Sequence, residues 1–478
     1  MAQPRLVEAN KTQRTIEQIL CMAAWVLAVF HMLLAEFRYT VDYTAFRPYE
    51  RWYALILVIV AVGYILFTKI RYPRTMYRVK NLFKRMISYE QIFMSVLFFW
   101  FVLVCMVRQP IDGYRWLKAH DWWIMDFGVS AFILFPMAKF LGKDKAKKWI
   151  ELALHIVVFT YTLFTIYCLW NVFHLHVFTL PSGKQVGMTK TPELMFGCHY
   201  NLTGAIAATL FAVCLYMIAS QKAVIKVLYG IAGAAHLVVL LLTNSRTVFL
   251  SVLVLIAGIV FLTVWEKLAG KKTIIRLAAA AGAALLFGAL FWMLRTWMFV
   301  WFDKITNFKA LSGGAQTASG AAAAAATESG TASAADDVRE LNNLSGRTNI
   351  WKAALKVMFS SPAAFFFGVT PHGVTEALKQ IGGLTFDCAH AHNVFLQTGA
   401  AFGVPAMAAF TVFVLRVLWK GLKIELKTDN LPFRGAYAVP VIVLFFVVMN
   451  LAEAYLVGYY SIMAAVFYLM CGWVVDNE

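Results

Sequence analysis

About a dozen stretches of roughly 20 residues, each nearly free of charge, divide this chain, and nothing else in it constrains the fold so strongly. They begin near Ile16, Trp52, Ile92, Trp122, Trp149, Leu202, Val224, Thr247, Thr273, Val394, Ala436 and Tyr455. A bilayer core of roughly 30 Å is crossed by a helix of roughly 20 apolar residues, so each run is the length of one span. The runs are continuously apolar and do not alternate in period two, which excludes a β-barrel. The expected fold is therefore all-α: a polytopic membrane bundle of about 12 transmembrane helices. A chain that is 61% hydrophobic and only 14% charged has too little polar surface to be a set of soluble domains. The first run, Ile16 to Ala35, is too long for the apolar core of a signal peptide and ends in Glu36-Phe37-Arg38 with no small-residue cleavage site. It is read as a retained first span.

The formal charge of +18 raises the question of nucleic acid, and the placement of the charges answers it. Lys69, Arg71, Arg74, Arg78, Lys80, Lys84 and Arg85 form one block; Lys139, Lys143, Lys145, Lys147 and Lys148 a second; Lys267, Lys271, Lys272 and Arg276 a third; Arg416, Lys420, Lys423, Lys427 and Arg434 a fourth. Each follows an even-numbered run, as does the short connection at Lys222 and Lys226, so all fall on one face. Basic loops mark the cytoplasmic side. The expectation is a multi-pass protein of the cytoplasmic (inner) membrane with both termini cytoplasmic, lipid bilayer against its charges and no nucleic acid.

The opposite face receives residues 171–201, the tight turn at Thr243–Arg246, and one large extracytoplasmic loop at 302–393 between spans 9 and 10. The chain thus divides into spans 1–9 over 1–301, the loop over 302–393, and spans 10–12 over 394–478. Within the loop, 311–337 is an Ala/Gly/Ser-rich tract that cannot bury enough surface to offset its ordering entropy. After it, Trp351, Ala354, Leu355, Met358 and Phe359 recur at helical spacing and Pro362 supplies a stop. These predict an amphipathic helix over 345–361, lying across the outer mouth of the bundle.

Three outward elements carry the chemistry. Arg246 in Thr243-Asn244-Ser245-Arg246-Thr247 holds a fork of donors at the membrane boundary, suited to a phosphate or pyrophosphate; the alternative is a side chain snorkelling to the interface. Ser345-Gly346-Arg347 opens a helix and offers backbone donors with a cation to an anion; the alternative is a solvated helix start. His390-Ala391-His392-Asn393, just ahead of the span at Val394 and of Gly403-Val404-Pro405, places an imidazole where it can take a proton from a sugar hydroxyl near neutral pH, against a reading as a polar helix cap. Seven of the ten histidines fall in outward loops, but neither His174-Leu175-His176 nor His390-Ala391-His392 matches a recognised zinc pattern. The seven cysteines show no CxxC spacing. No metal and no cofactor are assigned. Cys198 and Cys388 both lie outward, where a disulfide between them would pin the loop to the bundle.

These residues resemble the O-antigen ligase/polymerase superfamily of bacterial membrane glycosyltransferases. His392-Asn393 followed by Gly403 is similar to the family's His-Asn…Gly signature after the large outer loop. Ser345-Gly346-Arg347…Trp351 resembles its preceding loop motif, and Arg246 takes the place of a family arginine in the short outer turn. Gly197-Cys198-His199-Tyr200-Asn201 is similar to a glycine-to-asparagine stretch, with Tyr200 where a proline is usual. The acidic residue common ahead of Gly403 is replaced by Ala400-Ala401-Phe402. The resemblance implies transfer of a glycan from undecaprenyl pyrophosphate to an acceptor glycan or glycolipid outside the cytoplasmic membrane. It implies His392 as base, Asn393 as its orienting partner, Arg246, Arg347 and Lys190 on the pyrophosphate, and Asn201, His199, Trp351 and His390 on the substrate. A ligase to lipid A-core and a polymerase remain alternatives. A transporter of lipid-linked oligosaccharide is the rival from another class, for which Asp126, His155 and His236 are the intramembrane residues of interest.

Overall fold

The structure, a computed structural model, describes residues 88–112, 123–136, 143–175, 177–180, 183, 185–187, 194–306, 346–386, 388, 390–427, 438–457 and 461–477, with the isolated positions 26, 56 and 59. The runs beginning at Ile16 and Trp52, the tract at 311–337, Lys190 and Ser345 lie outside the described residues.

Helix α1 (Tyr89–Asp112) is followed by α2 (Trp123–Val129), which runs into a π-turn at Ser130–Leu134. Then come α3 (Lys143–Leu175), α4 (Tyr200–Ser220), α5 (Ala223–Leu242), α6 (Arg246–Lys267) and α7 (Thr273–Thr306). Short helices α8 (Arg347–Met358), α9 (Pro362–Phe367) and α10 (Gly373–Gln380) precede α11 (Val394–Phe402), α12 (Val404–Lys427), α13 (Ala438–Asn450) and α14 (Ile462–Asn477). Seven of these, α1, α3 to α7 and α12, are long and apolar enough to cross a membrane, and the architecture is an all-α membrane bundle.

Helix α4 is the axis of the bundle. Of its apolar stretch 72% is buried, against 11% for α7, whose Leu285, Leu286, Phe287, Met293 and Trp297 face outward. The sequence explains the difference: Gly204, Ala205, Ala207, Ala208 and Ala212 let α5, α6, α13 and α14 approach α4 closely. Lipid tails are as apolar as leucine, so close packing of small side chains, not escape from water, holds such helices together.

Three departures from the sequence reading position the site. Between α3 and α4 the connection forms a small antiparallel sheet, β1 (Val177–Thr179), β2 (Gln185–Gly187) and β3 (Met195–Phe196), with Val177 opposite Gly187 and Val186 opposite Phe196. The run expected to start a span at Val394 is broken at Gly403, between α11 and α12. The run expected to begin at Tyr455 becomes helical only at Ile462. Asn450 causes the last of these: its Oδ1 accepts from the Tyr455 amide at 2.7 Å, which holds 451–457 as a turn, buried from Glu453 to Val457, between α13 and α14.

Candidate active site

Four separate elements meet at one end of the bundle, where α4, α6, α8 and α11 begin. Helix α8 starts at Gly346, whose φ of +75° lies in the left-handed region open to glycine, and presents Arg347 from its first position. The Arg347 guanidinium donates to Glu453 Oε1 at 2.5 Å and also to Thr247 Oγ1 at the start of α6. His392 Nδ1 lies 3.2 Å from the other oxygen, Glu453 Oε2. The Glu453 side chain is 1% exposed, Arg347 11% and His392 25%, so one buried carboxylate joins two cationic groups and only the imidazole reaches outward.

Electrostatics follows from that arrangement. Burial would raise the Glu453 carboxyl, but the hydrogen bond from His392 and the charge of Arg347 outweigh it and hold it below the usual carboxylate range. Burial would lower His392, yet its hydrogen bonds with Cys388 and Glu453 and the Glu453 charge lift it to about 9. His390, whose ring centroid is 4.1 Å from that of His392, is pushed down to about 4 by burial and then by the neighbouring imidazolium. Tyr455 keeps its phenolic proton, held well above its ordinary value by burial and by Glu453, to which it is hydrogen-bonded.

The backbone at His392 is unusual, with φ of +47°, a conformation that costs a non-glycine residue energy. Both of its backbone polar groups are fixed: the N–H donates to His390 Nδ1 at 3.2 Å, and the carbonyl accepts from Trp351 Nε1 at 3.2 Å. The first bond makes Nδ1 the acceptor of neutral His390 and leaves its proton on Nε2. Asn393 Oδ1 caps α11, accepting from Phe395 N at 2.9 Å and Leu396 N at 3.0 Å, while its Nδ2 donates to Leu451 O at 2.9 Å. Asn393 therefore ties the histidine loop to the turn that carries Glu453.

The other sequence-derived residues surround this core. Arg246 opens α6 beside the acceptor Thr247, and its charge bears on Arg295, which donates to Asn244 Oδ1. Ser245 Oγ donates to Asn201 Oδ1 at 2.7 Å, joining the α5–α6 turn to the start of α4. His199 caps α4, accepting from Asn201 N at 3.3 Å, and lies within electrostatic reach of His390. The structure keeps Cys198 and Cys388 as thiols. Cys198 bonds Thr203 Oγ1 at 3.3 Å and Cys388 donates to His390 O at 2.9 Å, so the bridge that the sequence left open is not formed.

Glu453 was missed by the sequence reading. Its signal was present, a lone glutamate between two apolar runs, and an ionisable residue in such a setting marks a functional site by default. His390, His392 and Glu453 place ligand-type atoms within 4.8 Å of one another, a geometry open to a metal ion. Against that use, both Glu453 oxygens are engaged, by Arg347 and by His392, and an imidazole held protonated to about 9 competes with any metal.

No curated protein matches the chain. Residues 231–411, from within α5 to within α12, match the family model described as O-Antigen ligase, and that segment, which holds Arg246, Arg347, His390 and His392, supports a relation to the O-antigen ligase superfamily.

Proposed function

We propose that the protein is a membrane glycosyltransferase of the O-antigen ligase type. It moves a glycan from undecaprenyl pyrophosphate to an acceptor hydroxyl at the extracytoplasmic face of the inner membrane, with both termini cytoplasmic. The observation that carries the reading is the buried Arg347–Glu453–His392 cluster. In the reaction the acceptor oxygen bonds to the anomeric carbon, the bond from that carbon to the phosphate oxygen breaks with its electron pair leaving on the diphosphate, and the acceptor proton is removed.

Each part has a residue suited to it. Glu453 accepts from His392 Nδ1–H, which fixes the tautomer and turns Nε2 outward as the proton acceptor, the logic of a carboxylate-oriented histidine base. Only the neutral imidazole serves, so the rate rises with pH until about 9. Arg347 and Arg246 supply fixed positive charge for the leaving diphosphate, where donors aimed at developing charge are each worth roughly 10²–10³ in rate. His390 offers Nε2–H as a neutral donor to a sugar or phosphate oxygen. Trp351 and Asn393 hold the loop in place through the bonds described above, and Asn201 and His199 border the site from α4.

The test is incubation of the purified protein with a polyprenyl-pyrophosphate-linked oligosaccharide, with and without lipid A-core, reading product size on a gel. A single shift that requires lipid A-core is expected. A ladder from the lipid-linked glycan alone would make it a polymerase, and absence of any product from folded protein would refute glycosyl transfer.

A further inference from the structure

The break at Gly403 has a measurable depth. At one end of the bundle Glu90, near the start of α1, is held by Arg416 Nε at 2.8 Å and Lys420 Nζ at 3.4 Å, both on α12. Farther along α1, Phe101 stacks on Phe402 with ring centroids 3.8 Å apart, and Trp100 Nε1 donates to the Phe402 carbonyl at 2.9 Å. From Glu90 to Phe101 the helix rises about 16 Å at 1.5 Å per residue. In a core of roughly 30 Å that level is close to the midplane. Helix α9 is packed into the break at this level. Phe367 stacks on Trp100 at 5.5 Å and 10°, and Val369 N donates to Ala400 O at 2.8 Å. A Cβ on Gly403 would meet Phe366 O at 2.1 Å, so backbone touches backbone there.

The segment that follows the helix expected over the mouth of the bundle thus dips into it, and its outward face is apolar. Phe359 is 61% exposed and Phe366 50%, with Phe365 packed between them at 5.7 and 5.1 Å. Val96 and Leu103, which share the Trp100 face of α1, are likewise exposed and continue the same apolar surface. In the turn between α8 and α9 both serine hydroxyls are engaged by nearby backbone: Ser361 Oγ accepts from Ala364 N at 3.1 Å, Ser360 Oγ donates to Val357 O at 2.8 Å, and Pro362 brings no N–H. That is what a segment facing hydrocarbon requires. Lys352 and Lys356, exposed two turns and one turn before Phe359 on α8, stand where headgroups would be.

We propose that the end of α8 and α9, through Phe359, Phe365 and Phe366, form a re-entrant aromatic wedge in contact with lipid acyl chains of the leaflet on the site side. The wedge holds the Arg347 helix at a set height against the bilayer. This contact is independent of the reaction assigned to the site.

Single cysteines at Phe366→Cys and Lys352→Cys, each labelled with bimane in the full chain in lipid nanodiscs, test it, with the unsubstituted protein giving the background from native thiols. The label at 366 should be quenched by nitroxide on the acyl chain at least roughly threefold more than by aqueous iodide, and the label at 352 the reverse. Ala363→Cys, a smaller change on the same exposed turn, repeats the measurement if the first variant fails to fold. Iodide quenching at 366 or 363 equal to that at 352 would overturn the wedge and make it a water-exposed face.

Discussion

Replacing Glu453 by glutamine removes one charge and almost no volume, and the structure sets the size of the effect. His392 is held at about 9 by its bonds with Cys388 and Glu453 and by the Glu453 charge, against an ordinary value of 6.5 and against burial. Without the carboxylate the Glu453 bond and charge are lost while burial and the Cys388 bond remain, so the value falls from about 9 toward its ordinary 6.5, a loss of at most about 3 kcal/mol. That agrees with the roughly 3–5 kcal/mol typical of removing one partner from a buried ion pair. Two consequences are separable. A group whose folded value is raised stabilises the fold fully below its unfolded value and loses that contribution as pH rises through the folded one. The wild-type protein in detergent should therefore lose thermal stability between pH 6.5 and 9, while Glu453→Gln is less stable at pH 6.5 and flat across the window. Glu453 stays ionised throughout that range and does not contribute, while His390, neutral in the fold, adds only a small opposite rise just above its unfolded value of 6.5. In the transfer assay the wild-type rate should climb about tenfold per pH unit toward 9, and the variant should be level over the same range with a lower plateau. A variant whose melting temperature and rate follow pH as the wild type does would refute the assignment of Glu453 as the partner that charges His392.

Three further outcomes follow from geometry. Arg347→Lys keeps the charge but loses the fork that reaches Glu453 and Thr247 together, so kcat/KM should fall by roughly 10²-fold, and unchanged kinetics would remove Arg347 from the diphosphate. Asn393→Ala should cost about 1–2 kcal/mol by uncapping α11, with most of it restored in Asn393→Asp; equal melting temperatures for the two variants would contradict the capping role. Gly403→Ala should abolish a monodisperse folded protein, since φ is +92° and the new Cβ would meet backbone, whereas Gly282→Ala, with nothing within 4 Å, should be neutral in the same size-exclusion assay.

What could be read from the sequence follows from the solvent. Lipid demands long uninterrupted apolar helices, so α1, α3 to α7 and α12 announce themselves by length alone. Helices α8, α11 and the turn at 451–457 obey protein contacts instead. Gly403-Val404-Pro405 carried a visible break signal, but only the Phe366 backbone lying against Gly403 shows why the helix stops there. The histidines and arginines were legible because they stand in polar loops. Glu453 was not, because a single carboxylate flanked by Leu451, Ala452, Ala454 and Tyr455 reads as the edge of a span until its partners, about 60 and 100 residues away in sequence, are brought to it. The Asn393 side chain, adjacent to His392, spends its polar atoms on α11 and Leu451, a structural use that spacing alone does not distinguish from catalysis.

Glu453 also explains why the site can exist at rest. Arg347 and a protonated His392 within bonding distance of one point would repel strongly in a buried setting, and a single carboxylate with one oxygen for each removes the conflict. The cluster then retains a net positive charge, to which Arg246 adds, the sign that the proposed diphosphate would require. The carboxylate lies outside the 231–411 segment that carries the arginines and histidines, on the turn before the last helix. The imidazole proposed as the base is thus oriented by an element outside that segment. Asn393 Nδ2 bonded to Leu451 O is the short connection that keeps the two in register, which ties the placement of α11 to the protonation of His392.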